Sequence, residues 1–304
     1  MTDTKTDPKP GYFNKMPLFK VVSGVKFTIG LQDSCVQTNE VSIRYFEDLA
    51  KKSGNTDEFI KRLCKKYSIS LGIRDFEYFK TIQYKSYILQ TYNLVEPYFR
   101  ELNRSYRFYN NFKGDWKTKD GDKNLDPFNQ LLINIDADNS KLIKSYPEYY
   151  LLNYYRLIRN SIVHLQEDAE EHKKTTKYFD DFIADKLDFF KENYEMDSPN
   201  KPESISFQDF MLYTRAIKYF SNILNDACFP TIESLVSLAL KDEVLQENLL
   251  QNRRLNYEGA LLKRVNSLRS FFHRHFNTSH KELRDEFCKA YLTSEGVDSI
   301  DVLK

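Results

Sequence analysis

The sequence predicts an all-α protein: a helical bundle built around one long helix, with a helical C-terminal extension. Three observations carry that expectation. Tyr84, Ile88, Tyr92, Val95, Phe99, Leu102, Tyr106 and Tyr109 recur at steps of three or four, which places them on one stripe of a helix. Further stripes of the same period follow, such as Leu151, Tyr155, Ile158, Ile162 and Leu165. Nine glycines and nine prolines in 304 residues are few for an all-β chain with many turns.

Taken in order, residues 1 to 16 are polar and rich in Lys and Pro, which predicts a disordered tail. In "LFKVVSGVKFTIGL" (18 to 31) two β-branched runs flank Ser23-Gly24, the pattern of a short β-hairpin. Short helices are expected at 38 to 52 and 56 to 68, completing an N-terminal segment of 17 to 73. The long stripe follows, with Pro97 expected to kink the helix or split it at Glu96. Residues 113 to 145, opening "KGDWKTKDGDKNLDP", read as a long polar loop inserted into the bundle.

A helix over about 147 to 166 comes next, then one whose core face is Phe179, Ile183, Leu187 and Phe190. "SPNKPES" interrupts the chain. Ser206 and Asp209 then form a capping box before the stripe Phe210, Tyr213, Ile217, Phe220 and Leu224. Pro230-Thr231 marks another break, and the extension, 231 to 304, carries helices at 231 to 252, 257 to 276 and 278 to 292. No internal repeat is present.

Composition narrows the function classes. Forty-five basic residues stand against 44 acidic ones, for a formal charge of +1, so any nucleic-acid surface must be local. Cys35, Cys64, Cys228 and Cys288 are far apart and form neither a zinc-ligand pair nor a disulfide framework. There is no apolar leader at the N-terminus and no run of 18 apolar residues, which predicts a soluble cytoplasmic protein. Walker A, G-x-S-x-G and H-E-x-x-H motifs are all missing, so no metal or cofactor is expected.

One segment carries chemistry. "YYRLIRNSIVHLQED" (154 to 168) sets Arg159, Asn160 and His164 in the last turns of a strongly apolar helix. Arginine followed by histidine is a common accident: Arg269 precedes His275, and Arg274 precedes His280, at the same spacing of six. The asparagine directly after Arg159, and the long helix before and two helices after, set this match apart. Histidine can take or give a proton near neutrality, and its cationic form is favoured near a helix C-terminus. Arginine offers a charged planar fork that matches a phosphate. Asn160, four residues before His164, shares its face and can orient the imidazole or hold substrate.

"RLIRNSIVHL", late in the third element of a bundle, resembles the R-polar-x3-H motif of the HEPN superfamily, helical domains of prokaryotic toxins and antiviral ribonucleases. The resemblance spans about residues 74 to 230. The interrupted long helix and the 113 to 145 insertion depart from compact members. The resemblance implies a metal-independent endoribonuclease, a toxin or defence effector, with Arg159, Asn160 and His164 as catalytic residues. It leaves 2′,3′-cyclic phosphate and 5′-hydroxyl ends on its RNA substrate.

Arg159 and His164 are five residues apart, about 140° around a helix axis, so one helix does not easily aim both at one phosphate. Two such helices across a two-fold axis do, which predicts a homodimer with a composite site; the resemblance implies the same arrangement. An enzyme of this kind must be held in check by an inhibitory or activating partner protein, an oligomeric switch or an infection signal.

Two basic, aromatic stretches are candidate RNA contacts: Arg100, Arg104 and Arg107 among Tyr106, Phe108 and Tyr109, and Arg253, Arg254, Lys263, Arg264, Arg269 and Arg274 near Phe271, Phe272 and Phe276. Cations track phosphates and exposed rings stack on bases. The competing reading is that the rings are core and the cations a solvated face. For the whole chain, the alternative to an enzyme is a non-catalytic helical module that binds nucleotide or a partner protein.

Overall fold

The structure is a computed structural model that describes residues 18–70, 76–163, 168–252, 257–277 and 280–297. It is all-α. Among the described residues are thirteen α-helices and two pairs of two-residue strands. In order these are β1 (Leu18–Phe19), α1 (Lys20–Lys52), α2 (Thr56–Tyr67), α3 (Phe76–Tyr109), β2 (Lys119–Asp120), β3 (Lys123–Asn124), α4 (Pro127–Asn134) and α5 (Ala137–Ser145). The chain continues with α6 (Pro147–Val163), α7 (Asp168–Phe182), α8 (Leu187–Tyr194), α9 (Phe207–Cys228), α10 (Ile232–Ala239), α11 (Glu243–Asn252), α12 (Tyr257–His275), β4 (Phe276–Asn277) and α13 (Lys281–Ser294). No helix among the described residues is long and apolar enough to cross a membrane. The N-terminal tail expected at 1 to 16 lies outside the described residues.

The chain forms two compact units, each gathered from separate stretches of sequence. The first takes its described residues from 26–95 and 144–220, the second from 18–25, 96–143 and 221–297. Residues 113–143 therefore share a unit with the C-terminal helices.

The expected hairpin at 18 to 31 is corrected. Ser23-Gly24 lies inside α1, and only Leu18 and Phe19 are extended, pairing antiparallel with Asn277 and Phe276. Val22, Val25, Ile29, Val36 and Ile43 are buried along α1. Their steps of three, four and seven are helical, and packing of that stripe overrides the β-preference of valine. The expected short helix at 38 to 52 is the end of this same helix.

α3 carries the long stripe as read, with Ile88, Tyr92, Val95, Phe99 and Leu102 buried. Pro97 does not split it. A proline inside a helix costs about 3 kcal/mol, and apolar burial on both sides of it outweighs that.

The expected long loop at 113 to 145 is also corrected, since most of it is α4 and α5 with a small β2–β3 hairpin. The Asp126 carboxylate caps α4 by accepting from the Phe128 and Asn129 amides (both 3.1 Å), with Pro127 at the first turn. Asp136 does the same for the Asn139 amide (2.8 Å). These are ordinary start signals, and they sit within a stretch whose polar opening disguised Phe128, Leu131, Leu132 and Ile143, all buried.

In the second unit, Phe19 packs against Tyr109, Phe229 and Phe276 with ring centres 5.3 to 5.9 Å apart. In the first, a tyrosine-rich layer forms where Tyr155 meets Tyr213 at 4.6 Å and Tyr154 meets Phe179 at 5.4 Å. That layer fixes the face of α6 that carries the candidate site.

Candidate functional site

α6 begins at Pro147 and buries Leu151, Leu152, Tyr154, Tyr155 and Ile158. The anchor on its buried face is Asp209, at the start of α9 and wholly buried. One carboxylate oxygen accepts from the Tyr155 hydroxyl (3.0 Å) and the Asn200 amide (2.8 Å). The other accepts from Asn200 Nδ2 (2.7 Å), the Ser206 amide (2.8 Å) and Ser206 Oγ (3.0 Å). The Ser206 and Asp209 capping box is thus present, and it also clamps α6 through Tyr155. Burial and the Asp209 charge push the Tyr155 phenol well above its usual range, so it stays a hydrogen-bond donor. Tyr154 adds a second tie, donating to the Asn200 carbonyl at 2.5 Å.

On this scaffold Arg159 is half-buried. Its guanidinium lies 5.1 Å from the centre of the Tyr92 ring, a cation–π distance. Nη1 donates to Asn160 Oδ1 at 3.1 Å, while Nε is buried without a hydrogen-bond partner. Among the described residues no carboxylate pairs with it, and Nη2 remains an unused donor. The contact with the ring uses none of the guanidinium N–H donors, so donors remain for an anion. Asn160, placed by spacing on the face of His164, has its oxygen engaged by Arg159. His164 lies outside the described residues, as does Leu165 of the predicted stripe.

Sequence reasoning missed two members of this neighbourhood. Tyr92 is remote in the chain, and no local signal pointed to it. Arg156 precedes Arg159 by three residues, so it neighbours it along the helix. Its positive charge acts on the Tyr178 and Tyr213 phenols. That cation is legible in "YYRLIRN".

The candidate RNA contacts fall elsewhere. Arg100 pairs with Glu96 and Arg104 with Glu101 (2.8 Å), neighbours on α3, and Arg107 lies 5.6 Å over the Trp116 ring. All three are exposed, and so is Phe108, whereas Tyr106 and Tyr109 are packed into aromatic clusters. On α12, Lys263 is exposed. Arg264 binds Glu295 (3.1 Å), Arg269 binds Asp285 (3.4 Å) and Arg274 binds Asp242 (3.3 Å). Phe271, Phe272 and Phe276 are buried, so these rings are core. Arg253 and Arg254 lie outside the described residues.

His275, beside Arg274 at the end of α12, is half-buried. Its Nδ1 is 3.1 Å from the Tyr109 hydroxyl. Desolvation first, then the Arg274 charge, lowers its pKa, with Lys20 adding to the effect and Asp242 opposing it. Among the described residues no group of three or more His, Cys, Asp and Glu side chains is placed to hold a metal ion.

Compared with family models, with curated proteins and with solved structures, the chain matches none.

Proposed function

We propose that the protein is a metal-independent endoribonuclease of the HEPN type, cleaving RNA to 2′,3′-cyclic phosphate and 5′-hydroxyl ends. The observation that carries the reading is Arg159: a half-buried cation, stacked on Tyr92 and bonded to Asn160, with no carboxylate partner among the described residues. A guanidinium held in place without a counter-ion is suited to an anion, and a phosphodiester is the anion that its fork matches.

In this mechanism the ribose 2′-hydroxyl attacks the adjacent phosphorus and the 5′-oxygen leaves. Arg159 stabilises the charge that grows on the phosphoryl oxygens. His164 transfers the proton, as base toward the 2′-hydroxyl or as acid toward the leaving oxygen. Asn160 holds the fork in orientation through Oδ1 and keeps its amide N–H groups for substrate. A homodimer that apposes two α6 helices supplies the second arginine and histidine, and a partner protein or an infection signal restrains the activity.

The test is incubation of end-labelled RNA with the protein in excess EDTA, followed by identification of the product ends. Cyclic phosphate and 5′-hydroxyl ends support the reading. Failure to cleave several RNAs with the dimer confirmed favours a non-catalytic module that binds nucleotide or protein through Arg159.

A further inference from the structure

A second site, independent of the ribonuclease reading, lies in the first unit at the opposite end of α6. Glu148 sits in the first turn of that helix and is 1% exposed. One of its oxygens accepts from the Tyr194 hydroxyl at 2.7 Å, and the other, Oε2, is buried with no hydrogen-bond partner. No lysine, arginine or histidine among the described residues pairs with it. Arg215, which comes near through Tyr194, spends Nη1 on the Tyr194 carbonyl (3.0 Å). Isolated buried carboxylates are rare because desolvation costs several kcal/mol unless a partner compensates.

Glu148 also lines a recess of about 210 Å³, walled besides by Tyr146, Pro147, Phe189, Asn193, Tyr194 and Tyr219. Four of these six wall residues are aromatic. Ring faces carry negative potential, and aromatic walls around a carboxylate are a recognition chemistry for organic cations. The volume falls below the ~300–1,000 Å³ of pockets for drug-sized ligands, which limits the occupant to a small head group. The phenols do not compete as anions: burial first, then the Glu148 charge, raises the pKa of both Tyr194 and Tyr219.

We propose that this recess receives a small organic cation, an alkylammonium or guanidinium head group, with the rings of Tyr146, Phe189, Tyr194 and Tyr219 around it and the Glu148 carboxylate as its counter-ion. The head group can belong to a free amine or to a modified lysine of a peptide, and the two sources are separable.

The experiment is calorimetric titration of the full chain with choline, with its neutral isostere 3,3-dimethyl-1-butanol, and with a short peptide carrying trimethyl-lysine. Choline binds and the neutral alcohol does not. Glu148→Gln, which keeps an acceptor for Tyr194, weakens choline by about tenfold or more. In the wild type alone, choline affinity rises with pH as Glu148 loses its proton, a readout that survives any folding defect in the variant. Peptide binding tighter than choline identifies a protein-borne head group, and equal affinity identifies a free one. Equal binding of choline and the alcohol, or no binding of either cation, overturns the proposal.

Discussion

Arg159 stacks on Tyr92, its guanidinium carbon 5.1 Å from the ring centre, and this contact joins α6 to α3 within the first unit. The stack holds a charged group in place without neutralising it. Among the described residues no carboxylate pairs with it, which leaves its donors open to the anion proposed above. Structure and proposed chemistry therefore meet in one interaction, and its strength can be measured.

Stacking of this kind contributes about 0.5–2 kcal/mol when partly desolvated. Urea denaturation of Arg159→Ala, Tyr92→Leu and the double variant should give a coupling energy in that range. Additive single effects, within about 0.3 kcal/mol, would show that the two side chains do not support each other.

Asp209→Ala should be far more costly. It orphans the buried Tyr155 hydroxyl and the Asn200 and Ser206 donors together, at about 1–3 kcal/mol for each unsatisfied buried group. We expect a loss of at least about 3 kcal/mol, and about 1 kcal/mol for Tyr155→Phe, which removes a single bond. Chemical denaturation of both variants checks the ranking.

Gly24→Ala separates a helix from a hairpin at the N-terminus. Gly24 lies in α1, and a methyl group there would meet nothing within 4 Å. Alanine should therefore stabilise the protein by about 0.5–1 kcal/mol. In a hairpin turn the same change would destabilise, so the sign of the shift in melting temperature decides.

A buried carboxylate and a half-buried histidine set opposite pH dependences. Burial raises the Glu148 pKa, against a weaker lowering by its bonds to Tyr194 and to its own amide. The folded state then binds the proton more tightly than the unfolded chain. Stability from this group is complete below the ordinary carboxylate pKa and is lost as pH rises through the raised value. Burial lowers the His275 pKa, so its contribution is present above ~6.5 and is lost as pH falls through the depressed value. Glu148→Gln should remove the first slope and His275→Gln the second, each read from denaturation midpoints at a series of pH values.

Much of this was legible because it is local. The α3 and α6 stripes, the Ser206–Asp209 cap and the position of Arg159 follow from residues within a few turns of each other. What escaped depends on partners distant in sequence or on tertiary context. Val22 and Val25 look like strand residues until α1 is packed. Asp126-Pro127 was a readable helix start, lost in the polar stretch around it. Tyr92 beneath Arg159, Tyr155 on Asp209 and the burial of Glu148 are all long-range outcomes. Glu148 in particular has the sequence signature of a routine acid in a first helical turn.

The most direct measurement is the single-turnover cleavage rate of one labelled RNA in excess EDTA, for wild type, Arg159→Ala and His164→Ala at matched thermal stability. The account predicts cleavage by the wild type and losses of at least ~10² in each variant. It also predicts no cleavage when the 2′-hydroxyl at the scissile position is replaced by hydrogen. Wild-type cleavage that persists in either variant, or that proceeds on the deoxy substrate, would contradict it.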